Sequence, residues 1–260
     1  MKRPDFGTWL AALGACILLV ANGGGAAADE ISVAVAANFT APAQKIAGMF
    51  EARTGHVVRL SFGATGQLFA QIGQGAPFDV FLSADRARPA MAEEQGLAVP
   101  RSRFTYAVGR LVLWSADPAM VDAGGAVLRH GEFAHVAIAN PETAPYGAAA
   151  VEVMTAMGVF AEIEPKLVRG ASVSQARQFV MSGNSELGFI ALSQVTGDAA
   201  GSRWIVPETL YSPIRQDAVL LKDAERKEAA VDFVAFLGSP EARDVIESFG
   251  YGVLPPSATN

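Results

Sequence analysis

The chain is short of cysteine, of charge and of histidine, and each shortage removes a class of function. Its one cysteine, Cys16, lies in an N-terminal apolar stretch. Beyond that stretch there is no thiol to act as nucleophile, form a disulfide or bind a metal. Charged residues make up 18% of the 260 positions, and the formal net charge is −6. An acidic chain without basic clusters is a poor partner for nucleic acid or an anionic membrane surface. No nucleic-acid partner is therefore expected. Of the three histidines, His130 and His135 bracket a loop and a strand start, with no third metal ligand beside them. Neither G-x-S-x-G nor H-E-x-x-H occurs. The four tyrosines, Tyr106, Tyr146, Tyr211 and Tyr251, are dispersed, which argues against an iron site built on adjacent tyrosines.

What is present begins with Lys2 and Arg3, an apolar run from Phe6 to about Ala21, and the small-residue site Ala26-Ala27-Ala28. That order is a secretory signal peptide, residues 1–28, and takes no part in the fold. As a membrane span the run is short, and it is interrupted by Gly14 and Asn22. Leu13-Gly14-Ala15-Cys16 loosely resembles a lipoprotein cleavage site, but the apolar run continues past it to Val20, so lipid anchoring at Cys16 is the lesser reading. Cleavage after Ala28 leaves 232 of the 260 residues. It also makes the chain one unit more negative, because Lys2, Arg3 and Asp5 are lost. An exported chain without disulfides depends on its core alone, and this one is long enough to build it.

Ile31 to Ala36 is a short apolar run with the character of a buried strand, and Ala43, Ile46, Ala47 and Phe50 follow at helical spacing. Between them, Asn38 or Thr40 can cap the helix, and Pro42 suits its first turn. The same order recurs. His56–Phe62 reads as a strand, Gly63–Gly66 as a turn and Gln67–Ile72 as a helix. Phe78–Ser83 reads as a strand, with a helix from Arg88 to Glu94. Three β-α units in succession imply a parallel sheet covered by helices.

Thr105 to Trp114, broken at Gly109-Arg110, can carry the chain into a second lobe, where the alternation restarts. His135–Ala139 is a strand, Asn140–Gly147 a loop and Ala148–Met157 a helix. Leu167–Gly170 is a strand, Ala171–Ser174 opens a helix running to Met181, and Leu187–Leu192 is a buried strand. Gln216–Leu221 is the return crossing, followed by amphipathic helices over Glu225–Leu237 and Pro240–Phe249. The pattern predicts two α/β lobes of similar size joined by two crossings, with lobe I at residues 29–108 plus 212–260 and lobe II at 109–211.

The positive signal is a set of strand-to-helix turns. Asn38, Thr65, the Tyr146-Gly147 turn and the Ser172-Val173-Ser174 turn each place neutral donors at a predicted helix start. Helix starts leave N–H groups unpaired, and their dipoles favour an anion. In open α/β sheets such turns gather at the carboxyl ends of the strands, where ligands bind. Enough oriented N–H groups can hold a small anion without Arg or Lys. An exported enzyme with Thr65 or Ser83 as nucleophile would need a base in reach. Asp79 and Asp85, the acids nearby in sequence, read as turn or capping residues.

Several stretches are similar to those of the periplasmic molybdate-binding proteins of ABC-type uptake transporters. They are Val35-Ala-Ala-Asn-Phe-Thr40, Ser61-Phe-Gly-Ala-Thr65, Gly75-Ala-Pro-Phe-Asp-Val-Phe-Leu-Ser-Ala-Asp85, Asn140-Pro-Glu-Thr-Ala-Pro-Tyr-Gly147, Leu187-Gly-Phe-Ile190 and Phe249-Gly-Tyr-Gly252. The resemblance covers residues 29 to 255. It implies a type II two-lobed binding protein without catalytic activity or cofactor, a monomer that takes molybdate or tungstate to a membrane ABC permease from the periplasm; the alternative is a binding protein for another small oxyanion or a small carboxylate in the same cleft. It implies that the metal is held as an oxyanion by Asn38, Thr65, Tyr146 and Val173. The Asn38 side-chain NH₂ is expected to donate to it, and Tyr146 and Val173 to act through backbone N–H groups. The chain resembles a branch with Asn at the first position, and departs from some members in carrying Ala191 where they present a Tyr.

Overall fold

A computed structural model describes residues 28–197 and 200–253. The signal segment through Ala27, with Cys16, lies outside the described residues.

The chain runs β1 (Glu30–Ala36), a 3-10 turn (Ala37–Phe39), α1 (Thr40–Thr54), β2 (Val57–Gly63), α2 (Thr65–Gly73), β3 (Val80–Leu82), α3 (Ala87–Glu94) and β4 (Phe104–Gly109). It continues through β5 (Leu111–Ser115), α4 (Val127–His130), β6 (Val136–Ala139), α5 (Pro145–Ala156), α6 (Phe160–Ile163), β7 (Leu167–Gly170), α7 (Val173–Met181), β8 (Leu187–Ala191) and β9 (Ser202–Ile205). Then β10 (Ile214–Leu220), α8 (Glu228–Leu237) and α9 (Pro240–Ser248) complete it.

These strands form two five-stranded sheets, ordered β2-β1-β3-β10-β4 and β7-β6-β8-β5-β9. The two orders follow one pattern. In each, four strands share a direction and one runs against its neighbours, β10 in the first and β5 in the second. Each reversed strand is the one that enters from the other lobe. The architecture is thus α/β and two-lobed, with mixed but mainly parallel sheets.

Strand β1 lies inside its sheet, between β2 and β3, with Ile31, Val33, Ala34 and Val35 fully buried, as a strand covered on both faces requires. One face packs on Phe39, Ile46 and Phe50 of the first helical segment and on Phe233 and Ile246 of α8 and α9. The C-terminal helices therefore return to the first lobe. Gly55 ends α1 in the left-handed conformation at φ 78°, and its N–H bonds the Glu51 carbonyl oxygen.

The second lobe has its own core around Leu113, Ile138, Met154 and Phe189, and this core takes in Ala36, Ala37, Ala64 and Ala84 from the first. The lobes are therefore in contact along the carboxyl ends of their strands. Several boundaries differ from the sequence pattern: α2 begins at Thr65 rather than Gln67, and α8 at Glu228 rather than Glu225. α5 begins at Pro145 rather than Ala148, because proline suits the first helical position, where its missing N–H is not needed. β9 had no sequence counterpart; it alternates buried and exposed residues over only four positions.

Candidate functional site

Four helix starts converge where the lobes meet. A small cavity there is lined by Ala36, Ala37, Asn38, Gly63, Ala64, Thr65, Ala84, Ala144, Pro145, Tyr146 and Val173. All four residues singled out from the sequence therefore line one space, Asn38 and Thr65 from the first lobe and Tyr146 and Val173 from the second. No Lys, Arg, His, Asp or Glu is among the lining residues. Thr65, Tyr146 and Val173 stand in the first turns of α2, α5 and α7, and Asn38 in the 3-10 turn that runs into α1. First-turn N–H groups have no intrahelical partner, so an anion here meets several donors at once.

The side chains are arranged differently from one another. Thr65 Oγ1 accepts the Ala84 N–H at 3.0 Å, which leaves the hydroxyl proton free to donate elsewhere. Asn38 corrects the sequence expectation. Its Nδ2 donates to Gln216 Oε1 at 2.8 Å and to the Tyr251 hydroxyl at 3.0 Å, so both amide protons are engaged inside the protein. The side chain therefore does not offer its NH₂ to the cavity. Nor does Asn38 or Thr40 cap α1. No side-chain cap bond exists there, and Thr40 Oγ1 donates to the Ala37 carbonyl instead. Helix α7 does have a side-chain cap: Ser172 Oγ accepts the Gln175 N–H at 3.3 Å.

Behind the cavity lies a buried polar network that sequence reasoning missed. Gln216, with no exposed surface, is its hub. Its Oε1 accepts from Asn38 Nδ2 and from the Tyr106 hydroxyl at 3.1 Å, while its Nε2 donates to the Tyr146 hydroxyl at 3.2 Å. The Asn38 carbonyl oxygen accepts from the Tyr251 hydroxyl at 2.7 Å and from Ser193 Oγ at 2.9 Å. Gln216 reaches this position at a register shift between Gln216 and Asp217 in β10. Such bulges re-aim side chains next to sites. Asp217 is buried too, and accepts from Arg103 at 2.7 Å and Thr105 at 2.6 Å. The visible signal was the polar pair Gln216-Asp217 opening an otherwise apolar strand.

Three tyrosines that are dispersed in sequence thus meet in space. Burial raises the pKa of Tyr106 and Tyr146 well above the ordinary phenol value and pushes Tyr251 up to about 12. The hydroxyls stay protonated, whereas a metal takes a deprotonated ligand. Among the described residues no group of three or more His, Cys, Asp or Glu is placed to hold a metal ion.

Other bonds join the lobes around the cavity. The Gly66 N–H donates to the Thr143 carbonyl at 2.9 Å, and Arg88 Nη2 to the Glu142 carbonyl at 3.0 Å. Asp79 and Asp85 hold structure: Asp79 Oδ2 accepts from the Ser32 N–H and Lys227, and Asp85 from the Arg88 N–H and guanidinium. Gly109 leaves room for the network, since a Cβ there would sit 2.6 Å from Gln216 Nε2 and closer still to the Tyr146 hydroxyl.

A family model described as bacterial extracellular solute-binding protein matches residues 31–252. The chain belongs to that family. As a solute-binding protein it is not an enzyme. It is 58% identical over 226 residues to the molybdate-binding protein ModA of Rhodobacter capsulatus, covering 87% of this chain and 89% of that one. To the molybdate-binding protein ModA of Azotobacter vinelandii it is 55% identical over 245 residues, 93% of this chain and 96% of that one. The solved structure of the Azotobacter vinelandii periplasmic molybdate-binding protein superposes with a TM-score of 0.83, covering 86% of this chain and 99% of that one at 43% identity. A sulfate-binding protein, SubI of Mycobacterium tuberculosis, shares the fold at a TM-score of 0.73 and 13% identity, over 88% of each chain.

Proposed function

We propose that this solute-binding protein captures molybdate, and tungstate with it, and delivers the oxyanion to an ABC-type permease. The observation that carries the reading is the cavity itself: four helix starts facing one small space that no charged side chain lines. Backbone N–H groups of Asn38, Thr65, Tyr146 and Val173, with the Thr65 hydroxyl, supply donors on several sides of a tetrahedral dianion. Hydrogen bonds to an ionised acceptor are about twice as strong as neutral ones. Donors of this kind are fixed by the helices before the ligand arrives, so little ordering is needed on binding. The identity to two molybdate-binding relatives supports the same ligand.

A site made only of donors also discriminates. Fully deprotonated oxyanions present acceptors on every oxygen, whereas monohydrogen phosphate carries a proton for which the site has no acceptor. Molybdate and tungstate are nearly the same size, and both are larger than sulfate. The oxyanion is cargo, not a cofactor. In this reading residues 1–28 export the chain to the periplasm. Residues 29–108 with 212–260, and residues 109–211, are the two lobes that close on the ligand as a monomer.

Native mass spectrometry of the protein as purified, and again after exchange into molybdate, tests the reading. A single added mass of one oxyanion is expected. A protein that carries no oxyanion after saturation with molybdate contradicts it.

A further inference from the structure

The seam on the α7 side of the cavity carries bonds that none of the four candidate donors requires. Ser174 follows Val173, and its Oγ donates across the cleft to the Ala37 carbonyl oxygen at 3.1 Å. Gln194, in the 3-10 turn Leu192–Gln194 after β8, donates from Nε2 to Ser174 Oγ at 3.1 Å. Its Oε1 accepts the Ala191 N–H at 3.2 Å.

The direction of this chain is fixed by chemistry. The Ala191 N–H can only donate, so the Gln194 amide must turn its oxygen there and its NH₂ toward Ser174. The Ala37 carbonyl can only accept, so Ser174 must pass its proton on to it. Ala37 C=O and Asn38 N–H are the two ends of one peptide group. A peptide whose carbonyl accepts a hydrogen bond is a stronger donor at its N–H, because polarisation accumulates along a hydrogen-bonded chain.

We infer that Ser174 and Gln194 are positioning residues for the anion, an inference that rests on the oxyanion-binding reading above. They touch no ligand atom. They strengthen the Asn38 N–H from the opposite lobe and hold the lobes together by the same bond. When the lobes part, Ser174 leaves Ala37, and the Asn38 N–H loses the share of its polarisation that the opposite lobe supplies, while Thr40 Oγ1 keeps its own bond to the same carbonyl. Binding at one lobe is thereby coupled to contact with the other.

The loss should be seen in dissociation, since related complexes differ mainly in off-rate. The experiment is stopped-flow binding of molybdate to the parent, Ser174→Ala, Ser174→Thr, Gln194→Met and the Ser174→Ala/Gln194→Met double variant, with ligand-free melting of each. Ser174→Ala should raise the off-rate about fivefold to tenfold, the range of one neutral hydrogen bond, with the on-rate unchanged within about twofold. Ser174→Thr, which keeps the hydroxyl, should restore the parent off-rate. The double variant should match the Ser174→Ala single, because the chain is already broken. Ligand-free melting temperatures of the Ser174 single variants should stay with the parent, whereas both Gln194→Met variants also strand the buried Ala191 N–H and should melt lower. An unchanged off-rate in Ser174→Ala, a failed rescue by threonine, or effects that multiply in the double variant would overturn the inference while leaving parent binding intact. A parent that binds no molybdate overturns the oxyanion reading and this inference together.

Discussion

Gln216 Nε2 donates to the Tyr146 hydroxyl at 3.2 Å, joining the strand that returns to the first lobe to a helix of the second. The same carboxamide fixes Asn38 and Tyr106 through its oxygen. Its energetic weight lies in what its removal would leave unpaired in a buried site: one Asn38 amide proton and the acceptor side of the Tyr146 hydroxyl, while the Tyr106 hydroxyl keeps the Ser83 carbonyl.

Gln216→Met keeps the length and apolar bulk of the side chain but removes every one of those bonds. Leaving a buried donor unsatisfied costs about 1–3 kcal/mol. The ligand-free protein should melt lower by about 5 °C or more, and molybdate should bind at least about tenfold more weakly. Differential scanning fluorimetry and calorimetric titration check both. A variant that matches the parent in each would mean that the network carries no weight.

Gly66→Ala separates stability from closure. A Cβ on Gly66 would lie 3.1 Å from Thr143 Cα and 3.2 Å from its carbonyl oxygen, across the cleft. In the first turn of α2 alanine is the better helix former, worth about 0.4–1 kcal/mol. The ligand-free protein should therefore melt at or above the parent temperature. Bringing the lobes together must now push backbone apart, at a cost of about 1–3 kcal/mol, so affinity should fall about tenfold or more. Equal affinity would show that the lobes bind without closing this seam.

Asn38→Asp tests the correction at the first site. Had the side chain capped the helix, aspartate would be tolerated without ligand. Instead a carboxylate would face Gln216 Oε1, with 3% of the residue exposed. An unpaired buried charge costs more than about 3 kcal/mol. The ligand-free variant should lose many degrees of melting temperature. A ligand-free melt within 2 °C of the parent would mean that the Asn38 amide is not held by Gln216.

How much of this was legible in the sequence differs by level. Apolar runs and small-residue turns predicted two α/β lobes and the turns that carry the helix starts at the cavity, because strand-to-helix punctuation is local chemistry. Which atom of Asn38 faces the cavity was not legible, because Gln216 and Tyr251, far along the chain, decide it. The same holds for the tyrosines: Tyr106, Tyr146 and Tyr251 belong to β4, a helix start and the C-terminal segment, and only the topology unites them. The start of α5 was misplaced by three residues because Pro-Tyr-Gly reads as loop, although proline is a good first helical residue.

The buried phenols give the fold an alkaline limit. Burial pushes Tyr251 up to about 12, and Tyr106 and Tyr146 also rise. In the unfolded chain tyrosine titrates near about 10. The folded state therefore holds more protons above pH 10. This stabilisation is complete below pH 10 and is lost as pH rises toward 12. For Tyr251 alone it amounts to a few kcal/mol, on the order of 1.4 kcal/mol for each pKa unit. Melting temperature should be level from pH 7 to 9 and fall above 10, less steeply in Tyr251→Phe. A parallel fall in the variant would remove Tyr251 from the account.

An uncharged ring of donors should select a large, fully deprotonated oxyanion. Calorimetric titration of the mature chain with molybdate, tungstate, sulfate and phosphate in one buffer tests it most directly. Molybdate and tungstate should each bind at one site with affinities within about tenfold of each other, sulfate at least about a hundredfold more weakly, a gap of about 2.7 kcal/mol, and phosphate weakest of all. Sulfate binding as tightly as molybdate, or no heat with molybdate, would contradict the claim.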